Sequence, residues 1–165
     1  MVLNAALVVS VAGAVVIGRN NRFGWWQAIG RATGVRDDLG PIDFSALERR
    51  SSPNDALICP DGVCPRARAD AIAPVFDMPA ATLLEKTRSA ILTQPRVRVL
   101  PAPAPDRLRF VQRSLIMRFP DIVDILVLPR GDAQSTLALY SRSAVGHSDL
   151  GVNGARLRRW LALIG

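Results

Sequence analysis

Between Ser141 and Trp160 the chain reads SRSAVGHSDLGVNGARLRRW, with three serines, one histidine, one aspartate and three glycines ahead of a basic tail. His147 is the only histidine of the sequence. Two kinds of chemistry are open to such a set. A serine, His147 and Asp149 are the residue types of a nucleophilic triad, in which a carboxylate holds the base and the base activates the hydroxyl. The G-x-S-x-G elbow that usually presents such a nucleophile is missing from the stretch. The other chemistry is anion capture. Helix amino termini offer free N–H groups to a phosphate or carboxylate, and Ser141, Arg142, Ser143, Ser148, Asp149 and Asn153 could surround one. In that arrangement Asp149 must pair with Arg142, because its charge otherwise repels the ligand.

A third reading needs no ligand. Asn153 suits the N-cap of a terminal helix, and Val152 and Leu157 stand at the spacing of a hydrophobic staple. Gly146 and Gly151 permit turns of positive φ. Arg156, Arg158 and Arg159 are then expected to solvate the helix, and Trp160 to join the core.

The elements that must hold this stretch follow from periodicity. The spacing predicts a helix over 79–94, opened by Pro79 and ended by Pro95, with Leu83, Leu84, Ala90 and Ile91 as its apolar stripe. Strands are expected at 96–100, 107–117, 122–128 and 135–143, and a last helix at 153–164. Alternation puts Arg107, Arg109 and Arg113 on one face and Leu108 and Phe110 on the other. Tyr140 and Arg142 likewise share a face, as do Leu139, Ser141 and Ser143. Short loops between neighbouring strands imply antiparallel pairing, with both helices on one face. The fold class is α+β, a mainly antiparallel sheet of about four strands flanked by two helices. DFSALERR, from Asp43, reads as a short helix capped by that aspartate, and Ser51–Asp55 as a turn cluster in which Asn54 and Asp55 bind their own backbone.

One N-terminal transmembrane helix is expected to precede this domain. Val2 to Gly18 carry no charge, and seventeen residues at about 1.5 Å each span about 26 Å, near the lower limit for a bilayer. Arg19, Arg22, Phe23, Trp25 and Trp26 follow, as at a membrane interface. A cleaved signal peptide is the rival, with small residues at Ala12–Ala14 but no basic region before the apolar run. A buried core helix is a third. The expected organisation is 1–18 anchor, 19–41 interfacial linker and 42–165 globular domain.

Sidedness is contested within the sequence. Arg19 and Arg22 would keep the domain in the cytoplasm by the positive-inside rule. Cys59 and Cys64, the only cysteines, flank the turn sequence Pro60-Asp61-Gly62. A disulfide between them fits an exported domain, while two reduced, buried thiols remain the alternative. Two cysteines and a distant histidine fall short of a zinc site, and no cofactor motif is present.

The net charge of +7 is uneven. Residues 96–165 hold eleven basic and five acidic groups, against six and seven in 41–95. A basic half of this kind meets anionic lipid or an acidic partner, or is simply solvated. Nucleic acid is disfavoured, since aromatics do not interleave with the arginines.

SPNDALICP with its second cysteine, RFPDIVDILV, and YSRSAVGHSDLGVN before a basic helix resemble the domain-of-unknown-function family numbered 1499. The resemblance covers about residues 42–164. Its most specific element is matched by Ser141, Arg142, Ser143, Gly146, Ser148, Asp149, Gly151 and Asn153. His147 stands where relatives commonly carry another residue. The resemblance implies a membrane-anchored or exported protein and carries no mechanism. The expectation is therefore a membrane-anchored, non-enzymatic envelope module that binds anionic lipid or an envelope protein, held at the inner membrane with its domain in the periplasm. The alternative is an envelope serine hydrolase using a serine of 141–148 with His147 and Asp149.

Overall fold

A computed structural model describes residues 36–115 and 118–165. The expected anchor over 1–18, and the linker as far as residue 35, lie outside the described residues. Among the described residues no helix is long and apolar enough to cross a membrane. Asp37–Gly165 form a compact unit of their own.

The elements in chain order are β1 (Asp55–Cys59), β2 (Ala71–Ile72), β3 (Val75–Phe76), α1 (Ala80–Leu92), β4 (Val97–Leu100), β5 (Arg107–Arg113), β6 (Pro120–Pro129), β7 (Ser135–Ser143) and α2 (Val152–Ile164). They build one seven-stranded sheet in the order β2-β1-β7-β6-β5-β4, with β3 also on β7. The expectation of about four strands is thus corrected. Its four are β4 to β7, the long alternating segments. The other three were hidden for physical reasons. β1 begins at Asp55, inside what reads as a turn cluster, and β2 and β3 have two residues each, too short to show a period. The sheet is also mixed, because β1 and β2 run parallel while the other pairs are antiparallel.

Both helices lie on one face. α1 buries Leu83, Thr87 and Ile91 at four-residue spacing, and α2 buries Leu157, Trp160 and Ile164. They pack on Leu108, Phe110, Val123, Ile125, Leu137 and Leu139. Trp160 meets Phe110 edge-on, ring centroids 6.0 Å apart and planes at 85°, a geometry favoured by the ring quadrupoles.

The opposite face is covered by irregular chain. Phe44, Leu47 and Cys64 pack on Leu57, Leu126, Ala138 and Tyr140. The helix expected from Asp43 does not form. Asp43 instead accepts from the Ser45 N–H and hydroxyl in a local turn, and Phe44 and Leu47 are drawn onto the sheet. Cys59 and Cys64 are joined by a disulfide that closes the Pro60–Gly62 turn, their Cα atoms 6.4 Å apart. Gly62 has φ +77°, which a side chain would resist.

Candidate functional site

Strand parity divides the Ser141–Ser143 stretch between the two faces, so the six residues expected to share one ligand do not converge. Ser141 and Ser143 point under α2, and Arg142 points to the other side. Ser148 and Asp149 lie in the loop before α2.

Under the start of α2 is a closed polar network. Arg156, 3% exposed, donates to Gln112 Oε1 at 2.8 Å, to Ser141 Oγ at 2.9 Å, and to Asn153 Oδ1 and Asp121. Ser143 Oγ donates to Asp121 at 2.6 Å. Asn153 Nδ2 reaches the Asn54 carbonyl at 2.9 Å and Ser143 Oγ at 3.0 Å. Ser141 Oγ donates to Asn153 Oδ1. All these side chains are buried. Such a network is tolerated in a core only because its members satisfy one another.

Three readings of this region are corrected. Asn153 is not the N-cap, since its side chain is spent inside the network. The N-cap position is Gly151, and the carboxylate of Asp149 before it accepts from the N–H groups of Gly151 at 3.0 Å and Asn153 at 2.6 Å. A negative charge there meets the positive end of the helix. Gly151, at φ +80°, makes the turn. Val152 is exposed rather than stapled to the buried Leu157. Arg156 does not solvate the helix but lies at its heart.

His147 and Ser148 are exposed. Among the described residues His147 makes no hydrogen bond to a serine or to Asp149, and Ser141 and Ser143 are sealed in the core. The geometry does not assemble a triad. Among the described residues no three metal-ligating side chains gather either.

The second face carries a row of arginines. Arg109, on β5, donates to Asp124 Oδ1 at 2.7 Å and to the Pro101 carbonyl at 2.9 Å, and pairs with Asp38. Arg142 does not reach Asp149. It lies 3.5 Å from Asp124 Oδ2 and donates to the Gly40 carbonyl at 2.5 Å. Arg113 pairs with Asp37, which Arg98 also approaches at 3.3 Å. Further along, Tyr140 donates to Asp55 Oδ2 at 2.6 Å, and Arg49 bridges Asp55 and Asp70.

The electrostatics follow from burial and pairing. The Arg109 hydrogen bond holds Asp38 below the usual carboxylate value. Burial pushes Asp124 up, with Arg109 opposing, and pushes Arg142 down, with Asp124 opposing. Burial and then the bond to Asp55 push the Tyr140 phenol up. Asp124 Oδ2 and Arg142 Nε are buried without a hydrogen-bond partner.

One end of the sheet gathers a different set. It carries the carboxy end of α1, the start of β4, the β5–β6 turn and the β7–α2 loop, as the pairing of Val97 with Gln112 and of Asp121 with Ser143 requires. Asp37, where the compact unit begins, is fixed at this end by Arg113. Leu115 and Leu150 project here, 69% and 93% exposed, with Leu92 and Val152 also exposed. Three non-glycine residues among those described have positive φ, Arg96 (61°), Arg118 (56°) and Leu150 (53°), and all three are at this end.

The residues missed by sequence reasoning are Arg156, Asp121, Gln112, Asp124, Asp38 and the strained trio. For Arg156 a signal existed: it falls three residues after Asn153 and four before Trp160, on the buried stripe. For Asp121 and Asp124 none did, since their meaning depends on which strand lies alongside.

No curated protein and no solved structure matches the chain. A family model described as "Protein of unknown function (DUF1499)" matches residues 41–164, which span β1 to α2 and every residue of both networks except Asp37, Asp38 and Gly40. By that match, over most of its length, the chain belongs to the DUF1499 family.

Proposed function

We propose that this domain is a binding module of the cell envelope that rests on an anionic bilayer by the end of its sheet carrying Leu115 and Leu150. The observation behind this is the strain at Leu150. A left-handed leucine costs about 1–2 kcal/mol, and at 93% exposure the side chain recovers none of it by burial. Strain of this kind clusters where a surface has work to do. Its companions Arg96 and Arg118 supply cations beside the apolar side chains. That pairing suits a headgroup layer, where each arginine contributes about 1 kcal/mol on an anionic surface. The disulfide favours the periplasmic side of the inner membrane.

The test is flotation of the compact unit 37–165 with vesicles of phosphatidylglycerol and phosphatidylethanolamine, against phosphatidylcholine alone. Preference for the anionic vesicles is expected, falling at least tenfold, about 1.4 kcal/mol, in Leu115→Asp/Leu150→Asp. Equal flotation with both vesicle types, or an unaffected double variant, removes the lipid reading and leaves an envelope protein as the partner to seek.

A further inference from the structure

We infer that the arginine row of the second sheet face is a binding site for an extended acidic peptide, and that Asp37–Pro41 of this chain occupies it as an internal surrogate. The row consists of Arg98 on β4, Arg109 and Arg113 on β5, and Arg142 on β7. The strap answers them in order: Asp37 pairs with Arg113 and Arg98, Asp38 with Arg109, and the Gly40 carbonyl takes the Arg142 Nη2. Leu39 sits between these contacts, packed on Leu100, Val111 and Ile122. The ligand chemistry is therefore written by the strap itself: two adjacent carboxylates, one apolar side chain, then a free carbonyl.

Two observations show that the strap is an incomplete occupant. Without it, four guanidiniums face only one carboxylate of the sheet bonded to them, Asp124. With it, Arg142 Nε and Asp124 Oδ2 still lack hydrogen-bond partners although both are buried. A peptide with a further polar group opposite β7 would satisfy Arg142, which the backbone carbonyl of Gly40 meets through one nitrogen only. Arginine suits this role because its planar fork donates to two oxygens at once.

The strap competes from a tethered position, so its effective concentration is in the range of mM, and a partner segment must bind well to displace it. Displacement has a mechanical consequence. Freeing five residues lengthens the connection to the preceding chain by about 17 Å, at about 3.4 Å per residue. The inference stands independently of the bilayer reading.

The test uses the full chain in detergent and a labelled peptide of residues 35–42, VRDDLGPI. Asp37→Asn/Asp38→Asn in the protein weakens the strap, so this variant is expected to bind the peptide at least tenfold more tightly than the unaltered chain. A peptide with both aspartates replaced by asparagine is expected to lose that binding, as is the variant carrying Arg98→Gln/Arg113→Gln in addition. A folded strap variant that binds no more tightly, or that takes the asparagine peptide equally well, overturns the inference. So does equal competition by inorganic phosphate or by anionic vesicles, which would mark a general anion surface. Should the strap variant not fold, hydrogen exchange of the unaltered chain decides. Excess peptide is expected to raise exchange at the Gly40 amide, which donates to Asp38 at 2.8 Å, and unchanged exchange overturns the inference.

Discussion

Replacing Arg156 by methionine isolates the ion pair on which the α2 network depends. The guanidinium and the Asp121 carboxylate are 3% and 7% exposed. Removing one partner of such a pair strands the other charge in the core, at a cost of about 3–5 kcal/mol. Methionine fills much of the volume but leaves Gln112 Oε1 and Ser141 Oγ each short of a donor, about 1 kcal/mol apiece before relaxation. A loss of about 4 kcal/mol is expected. For a unit of this size each kcal/mol lowers the melting temperature by about 3–4 °C, so the midpoint should fall by about 12–16 °C. The companion variant Arg156→Met/Asp121→Asn removes the stranded charge and keeps the Ser143 bond, so it should recover at least half of that loss. The assay is thermal unfolding of 37–165 followed by far-ultraviolet circular dichroism. A fall below 3 °C in Arg156→Met, or a double variant as unstable as the two single losses combined, would refute the view that charge burial controls this region.

Other outcomes are expected at separate points of the fold. Reducing the Cys59–Cys64 bridge should cost about 2 kcal/mol through its short loop, visible as a drop of about 7 °C in melting temperature. Leu150→Gly should raise stability by about 1 kcal/mol by relieving the left-handed leucine while weakening flotation with anionic vesicles. A variant that floats as well as the unaltered unit would separate the strain from membrane contact. Asp38 has a depressed pKa, so its bond to Arg109 stabilises the fold above the ordinary aspartate value of about 3.9 and is lost as pH falls through the lower folded value. Asp124 is raised, so its ionisation works against the fold, and its contribution declines as pH rises above about 3.9. Asp38→Asn should therefore flatten the acid limb of a stability–pH curve, and Asp124→Asn should flatten the limb above it.

Where alternation ran long, sequence and structure agree closely. β4 to β7 and both helices fall within a few residues of their expected bounds, and Leu108, Phe110, Leu137 and Leu139 face the helices as their parity requires. The strands that escaped notice are those whose identity is conferred by a neighbour. Asp55 opens β1 because Arg142 lies opposite it and Tyr140 and Arg49 bind its carboxylate, facts that become available only after β7 has been placed beside it. The same holds for the site. Parity alone separates Ser141 and Ser143 from Arg142 and divides the Ser–Arg–Ser motif between two faces. The destinations of the three polar groups could not be read in advance, because Asp121, Asp124 and Gly40 are brought to them by sheet register and by the strap. The residue types of a triad proved to be those of a loop, a helix start and a core network.

The position of β7 has a bearing on when this chain can fold. It is the last of the described strands in chain order, yet it pairs with β1, β3 and β6. Until Ser135–Ser143 has been synthesised, the first strand has no antiparallel neighbour and the polar groups of the α2 network have nothing to close around. Pairing across so long a stretch of chain is slow, because loop entropy is lost before the contacts form. The β1 half of the domain therefore closes late, whereas β4, β5 and β6 can pair among themselves before β7 is present. The Cys59–Cys64 turn is the exception, local enough to close first and to hold the end of β1 in readiness for the strand that arrives last.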